Sequence, residues 1–448
     1  MRQVKRRTLL LLVPLLLLAG GLVLFGIKYL ANGRQWAAFS ANSHAYTGGR
    51  LTSGQILDRN GVILYDAASG QYHQDGKIRR ATLHAVGDRD NNIATGVKCA
   101  LRDRLIGYNL LTGTTTGGHR LYLTLDAELN AAAYQALNGR KGTVAIYNYK
   151  TGEILCMVSA PSFDPADPPV IPDGDSRYEG VYLNRFLSAV YVPGSVFKIV
   201  TTAAALENLP DVEDRTFSCT GSVTIGGDTV TCPRVHGEMD LYDALAKSCN
   251  CAYAQLAVEL GGDVLEQYAR KAGLLDEHNV SGIATAAGSF SAGEDSQLGW
   301  SGVGQYNDLV NPCAMLTLMG SIAAGRGAAM PCLVAKEATL QGIYLSSPAR
   351  AAAPIPWRAD TCAVLRKMMR NAVTEIYGQN RFGDLNVCAK SGTAEVGGGR
   401  APHSWFVGFV DDETQPLAFV VVVENGGSGS DAAGSVAAAV LRQAVQEP

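Results

Sequence analysis

The chain has 448 residues, 47% of them hydrophobic and 18% charged, with a formal net charge of −3, which is ordinary for a globular protein long enough for two or three domains. Five of the 38 Lys and Arg, and none of the 41 Asp and Glu, fall in the first 30 residues, so the remainder is mildly acidic. It carries no basic stripe, which argues against a nucleic-acid partner.

In chain order, Arg2, Lys5, Arg6 and Arg7 precede an uncharged, leucine-rich run from Thr8 to Ile27 that can cross ~30 Å of hydrocarbon as a helix. The positive flank should stay cytoplasmic, placing everything beyond about residue 30 outside a cell membrane that the chain crosses once. A cleavable signal peptide is the rival, but its apolar stretch is usually ~7–15 residues and no clean A-x-A site follows at once. Residues 1–30 are thus expected to form a cytoplasmic stub and transmembrane anchor. Residues 31–138 read as a small, extended first domain, irregular and polar, with two exceptions. "SGQILDRNGVILYD" (53–66) is a hairpin turning at Asn60-Gly61, and "LYLTLDAELNAAAYQAL" (121–137) is a strand followed by a helix.

Residues 139–448 form the second domain. "TVAIYNY", a Lys150-Thr151-Gly152 turn and "EILCMVS" predict a second hairpin. At the far end "LNVCAKSGTAEV", "HSWFVGFV" and "PLAFVVVVEN" predict three strands, followed by a helix from Asp431 to Val445. Short connections favour antiparallel neighbours. Between the two strand groups lie about 220 residues with helical patterns at 195–208, 240–260 and 310–324. The fold class is therefore α+β: a five-stranded antiparallel sheet built from both ends of the domain, flanked by helices and carrying a helical insertion.

Lysine is rarely buried without a partner, yet Lys198 interrupts the apolar start of the helix predicted at 195–208. Ser195, three residues earlier, shares its helix face at a Cβ separation of ~5–6 Å. Apolar surroundings disfavour the ammonium form, so a neutral Lys198 can take the proton of Ser195. Pro193-Gly194 would expose that hydroxyl at a helix N-terminus, where backbone N–H groups favour negative charge. A lone Ser-x-x-Lys is a weak signal. Here "KSCN" adds Ser248 and Asn250 as Ser-x-Asn, and "AKSGTAEV" adds Lys390-Ser391-Gly392-Thr393 on a predicted strand. The three motifs stand in the order found in penicillin-binding proteins and class A β-lactamases, with serine replacing threonine in the last.

The resemblance extends over nearly the whole chain. "GQILDRNGVIL", "VGDRDNNIATG", "GEILCMVSAPSFDP", "NRFLSAVYVPGSVFKIVTTAAALE", "HGEMDLYDALAKSCNCAYAQLA", "GQYNDLVNPCAMLTLMGSIAAG" and "KSGTAEVGGGRAPHSWFVGFV" resemble blocks of the class B penicillin-binding proteins, the monofunctional peptidoglycan transpeptidases. One departure is Thr52-Ser53-Gly54, where the family commonly has Arg-Gly. The resemblance implies a pedestal (dimerisation-like) domain followed by a transpeptidase domain, with no room for a glycosyltransferase domain. It implies a serine acyl-enzyme formed from stem peptides ending in D-Ala-D-Ala and inhibited by β-lactams. In it Ser195 is the nucleophile, Lys198 its base, Ser248 a proton relay near Lys390, and Asn250 a hydrogen-bond partner of the substrate amide. Lys390 would lie near the terminal carboxylate, and Ser391, Gly392 and Thr393 would bind substrate, the two hydroxyls holding that carboxylate. Backbone N–H groups of Ser195 and Thr393 would form the oxyanion hole. A polytopic glycosyltransferase of the SEDS family is the implied partner, engaged through anchor and pedestal.

The rivals are a β-lactamase, or a non-enzymatic β-lactam sensor or scaffold of the wall-synthesis complex. β-Lactamases are soluble and shorter, and no E-x-x-L-N segment lies between Asn250 and Lys390. A sensor needs a cytoplasmic output domain, whereas seven residues precede the apolar run, and a scaffold should have lost a motif residue.

The chemistry requires no cofactor, but the ten cysteines are many for an exterior protein. Cys219, Cys232, His236 and Cys249 read C-x12-C-x3-H-x12-C, and Cys249 is the central residue of Ser-x-Asn. Three readings stay open: a closed structural zinc site, a Cys219–Cys232 disulfide, or small buried thiols. Cys99, Cys156, Cys251, Cys313, Cys332, Cys362 and Cys388 read as core.

Overall fold

A single helix, α1 (Arg2–Ala38), carries the apolar run. Its segment Leu10–Gly33 has 24 residues at a mean hydropathy of 2.7, long and apolar enough to cross a membrane, and the side chains of Leu16, Leu17 and Leu24 are exposed. At 1.5 Å per residue that segment spans about 36 Å. It is compatible with a single-pass anchor. The computed structural model describes residues 2–38, 53–109, 112, 114–115 and 117–446. Thr52 lies outside them.

The hairpin expected at Asn60-Gly61 forms between β1 (Gln55–Leu57) and β2 (Ile63–Asp66), followed by the short β3 (Gln71–Tyr72). The polar reading of this region missed α2 (Gly76–Val86). Asp75 caps it by accepting the Lys77 N–H at 2.7 Å, and Ile78, Ala81, Leu83 and Ala85 are buried while Lys77 stays in solvent. Next come β4 (His119–Leu123), which runs parallel to β1, and α3 (Ala127–Leu137), the expected strand and helix.

The second sheet starts with the hairpin β5 (Gly142–Asn148) and β6 (Ile154–Ala160). Helices follow: α4 (Lys198–Asn208), α5 (Leu241–Ala246), α6 (Asn250–Leu260) and α7 (Pro312–Ala324). The stretch predicted as one helix over 240–260 is two, because Ser248 at φ +57° turns the chain between α5 and α6. Where the sequence showed mostly helical pattern lie six short strands between Phe217 and Ala284, paired two by two, and further on β7 (Val334–Thr339) and β8 (Tyr344–Ser346). Strands β7 and β8 return to the first sheet, whose order is β8-β7-β4-β1-β2-β3.

After α8 (Ala359–Ala372), the strands β9 (Val387–Ala394), β10 (His403–Val410) and β11 (Leu417–Val423) precede the final helix α9 (Gly434–Gln446). They complete a five-stranded sheet of order β9-β10-β11-β5-β6, antiparallel throughout, as expected. One face packs Val144, Ile146, Phe406, Phe419 and Val421 against Leu129 and Leu137 of α3 and Leu441 of α9. The other packs Ala145, Tyr147, Val407, Val420 and Val422 against residues of α4 and α7 such as Val200 and Met319. Both faces are covered, so β11 is a continuous apolar run rather than an alternating one. Strand β9 is left as an edge.

Just past β11, Glu424 accepts hydrogen bonds from Arg185 Nε at 2.7 Å and from the Tyr191 hydroxyl at 2.8 Å. The Arg185 side chain is only 3% exposed. These contacts tie the segment leading to Pro193 onto the sheet. Glu424→Ala would strand a buried guanidinium, and we expect thermal or urea unfolding to show a loss of about 3–5 kcal/mol. A loss below about 1 kcal/mol, the range of an exposed pair, would contradict this role.

Candidate active site

The chain reaches Ser195 through a turn that only glycine suits. Gly194 has φ +57°, and a Cβ there would sit 2.6 Å from the Thr393 carbonyl oxygen. Its N–H donates to Gly304 O at 2.8 Å, which ties the nucleophile turn to the residue before Gln305, whose side chain lines the same cleft as Ser195. Ser195 lies in a 3₁₀ turn, Gly194–Val196, that runs into α4, so Lys198 opens the α-helix and sits one turn further on.

Lys198 is fully buried. Its Nζ donates to Ser248 O at 2.7 Å and to Asn250 Oδ1 at 2.7 Å, and lies 3.2 Å from Ser248 Oγ. Both short contacts are to oxygens that can only accept. A neutral amine has two hydrogens, and these contacts use both, which leaves its lone pair for a hydroxyl proton. Burial lowers Lys198 to about 7, against a smaller opposing pull from Cys232, Cys249 and Cys251. No hydrogen bond joins it to Ser195 among the described residues. Unliganded sites often tighten such contacts only when substrate binds.

Ser248 connects the second lysine. Its Oγ lies 3.1 Å from Lys390 Nζ, and Lys390 also donates to Ser391 O at 2.7 Å. Lys390 is fully buried, and burial together with the charge of Lys198 holds its pKa well below the ordinary lysine value. Two buried amines sharing one hydroxyl cannot both be ammonium at low cost, so the pair carries at most one proton readily. Positive φ at a non-glycine costs ~1–3 kcal/mol, and Ser248 holds such a conformation where its carbonyl and hydroxyl both meet Lys198.

A cleft of about 620 Å³ opens over these groups, and Ser195, Ser248, Asn250, Ser391 and Thr393 line it. Thr393 Oγ1 accepts the Gly429 N–H at 3.2 Å, and Gln305 Nε2 donates to Thr393 O at 3.3 Å. Gly392 faces away from the cleft. A Cβ there would meet Pro193 O at 2.9 Å and Val196 Cγ1 at 3.0 Å, so β9 passes the nucleophile turn closely only because this residue is glycine. Sequence reasoning did not single out Trp300, Tyr306, Tyr377 or Glu395, which also line the cleft; no motif spacing marks them. His403 and Trp405, on the strand after the third motif, meet Tyr191 edge to face, and Trp405 Nε1 donates to Val192 O at 3.0 Å.

Cys219, Cys232, His236 and Cys249 come together at one end of this cleft, their ligand atoms all within 4.8 Å of one another. His236 Nδ1 is 3.3 Å from Cys232 Sγ and 3.5 Å from Cys219 Sγ. The Cys219–Cys232 disulfide considered above is not formed: all ten cysteines are free, and the sulfurs converge on the imidazole instead. Of those read as core, Cys156, Cys251, Cys313, Cys362 and Cys388 are buried, whereas Cys99 and Cys332 are partly exposed.

Comparison with known proteins gives the same picture. Residues 142–446 match the family model of the penicillin binding protein transpeptidase domain. The peptidoglycan D,D-transpeptidase PbpA of Mycobacterium tuberculosis is 29% identical over 375 residues, 77% of this chain and 76% of that protein. Penicillin-binding protein A of M. tuberculosis, solved as a ceftriaxone acyl-enzyme complex, matches with a TM-score of 0.78 at 23% identity over 88% of this chain and 98% of that one. The D,D-transpeptidase domain of a peptidoglycan glycosyltransferase from Eggerthella lenta matches with a TM-score of 0.76 at 26% identity, covering 89% and 99%. The chain belongs to the penicillin-binding protein transpeptidase family, within its class B branch.

Proposed function

We propose that this protein is a serine-type peptidoglycan D,D-transpeptidase that crosslinks stem peptides and is acylated by β-lactams. The observation that carries this reading is the buried Lys198 amine, whose two hydrogens are held by Ser248 O and Asn250 Oδ1 one helical turn beyond Ser195. Ser195 Oγ attacks the penultimate D-Ala carbonyl and passes its proton to Lys198. Backbone N–H groups of Ser195 and Thr393 hold the developing oxyanion, a contribution of ~3–4 kcal/mol per donor where one has been removed elsewhere. The C–N bond breaks, and terminal D-Ala leaves with a proton relayed through Ser248. An amine of a neighbouring strand then attacks the acyl-enzyme, loses a proton and frees Ser195.

The incoming carboxylate meets Ser391, Thr393 and Lys390. It favours the ammonium form of Lys390, whose charge across Ser248 keeps Lys198 neutral. No cofactor enters this chemistry. The basic N-terminal flank supports a catalytic domain outside the membrane, and on this reading the anchor and pedestal are the contacts for a SEDS-family glycosyltransferase. Incubating the full-length protein in detergent with pentapeptide-bearing glycan strands tests the reading. It expects D-Ala release matched by crosslinked dimers. Catalytic turnover of penicillin with no dimers would instead assign a β-lactamase.

The same reading gives the Cys219, Cys232, His236 and Cys249 cluster a structural zinc. A Zn–S bond of ~2.3 Å in a tetrahedron separates ligand atoms by about 3.7 Å, close to the spacings found here, and thiolate with imidazole is a zinc donor set. Asn250 N–H donates to Cys232 Sγ at 3.2 Å, so the metal's ligands also hold the second motif. Protein purified under reducing conditions without chelator should contain about one zinc per chain, and stripping it should lower both melting temperature and penicillin acylation. Metal-free protein with full activity would refute the assignment.

A further inference from the structure

One aromatic hydroxyl in the cleft has no part in the three motifs. Tyr377 ends a π-helical turn, Val373–Tyr377, inserted between α8 and β9, a local distortion often found at functional sites. Its ring is nearly buried and sits edge to face on Phe406, with centroids 5.2 Å apart. Its Oη accepts the Ser391 N–H at 2.9 Å and lies 3.0 Å from Ser391 Oγ. Burial raises the phenol's pKa, so the hydroxyl keeps its hydrogen across the working range.

The direction of one of these bonds is fixed by its donor, and that of the other follows from the acceptors within reach. The Ser391 amide can only donate, so it occupies a lone pair on the Tyr377 oxygen. In the remaining contact either oxygen is able to donate; among the described residues the phenolic hydrogen finds no acceptor but Ser391 Oγ, which favours the tyrosine as the donor. A serine oxygen that accepts from tyrosine has its own hydrogen free for a third group, and Ser391 lines the cleft. The same contact has a second effect on the edge strand β9. It occupies the outward N–H of Ser391, so the next outward amide available to a substrate is that of Thr393, two residues on.

We propose that Tyr377 is a positioning residue that fixes Ser391 as a hydrogen-bond donor to the terminal carboxylate of the acyl donor. This rests on the reading of Ser391 as a carboxylate contact, and it adds that the contact is oriented from behind by a residue outside the motifs. Without the phenol, Ser391 Oγ is free to turn its hydrogen elsewhere and its amide loses its partner.

The test compares second-order acylation rate constants of the full-length protein with benzylpenicillin and with benzylpenicillin methyl ester, which lacks the negative charge. The acid-to-ester ratio is independent of the fraction of protein correctly folded. Tyr377→Phe is expected to lower that ratio about tenfold, the order of one hydrogen bond to a charged group, and Ser391→Ala to lower it similarly. The double variant should fall no further than either single one, because the two residues act as a unit. If Ser391→Ala lowers the ratio while Tyr377→Phe leaves it unchanged, or if the two losses multiply, the role of Tyr377 is wrong although Ser391 still binds carboxylate. If Ser391→Ala leaves the ratio unchanged, the carboxylate reading falls and the Tyr377 proposal with it. Failure of the wild-type protein to acylate with either compound would overturn both.

Discussion

Ser195→Ala is expected to abolish covalent labelling by penicillin, seen as loss of the adduct in the intact mass. The expectation is sharp because a second hydroxyl competes for the role. Ser248 Oγ touches both buried amines, whereas Ser195 has no hydrogen bond to either. Proximity to the base would favour Ser248, but two other features favour Ser195. Its place in the turn entering α4 puts it among N–H groups not yet committed to the helix, which can hold an oxyanion. Ser248 instead sits on a left-handed backbone between two lysines, a position suited to passing protons. An adduct that persists in Ser195→Ala and maps to Ser248 would reverse the assignment.

Lys198→Ala should cut the acylation rate by about 10² to 10⁴, the usual contribution of a positioned general base. Lys198→Arg should not restore it, since a guanidinium does not give up its proton near neutral pH. Some destabilisation accompanies the change, because Ser248 O and Asn250 Oδ1 lose their donor at ~1–3 kcal/mol for each group left buried and unpaired. Melting curves therefore need to accompany the rates. A variant that melts normally and acylates at the wild-type rate would remove Lys198 from the mechanism.

Much of this architecture was legible in the sequence, where local chemistry decides the outcome. The Asn60-Gly61 turn, the Lys150-Thr151-Gly152 turn and the three apolar runs after Leu385 each specify strands that need only a neighbour to pair with. Lys198 stood out because a charge inside an apolar helix calls for a partner. What stayed hidden depends on distant contacts. Helix α2 looks polar because its exposed face carries Lys77, while its buried face forms only against the rest of the fold. Strands β7 and β8 join a sheet whose other members lie some 200 residues earlier, a pairing that no local pattern encodes. Likewise, the left-handed Ser248 and the Tyr377 contact to Ser391 follow from how the chain is packed. The spacing of Cys219, Cys232, His236 and Cys249 admitted three readings, and only their convergence separates a disulfide from a metal-type cluster.

The central claim is that Lys198 sheds its proton near neutrality in the folded protein, where burial lowers it to about 7. Its base form grows as pH rises, so acylation should fall about tenfold per unit below that value and level off above it. Stability should shift in the same direction. Between about 7 and an unfolded value near 10.4, the unfolded chain binds a proton that the folded chain has lost, so folding strengthens as pH rises through that window. The most direct measurement is the pH dependence of the penicillin acylation rate constant from pH 5.5 to 9, in the wild type and in Lys198→Ala. An inflection near 7 that disappears in the variant is the predicted result. A wild-type rate that is flat across the range, or an inflection that survives in Lys198→Ala, would contradict the account.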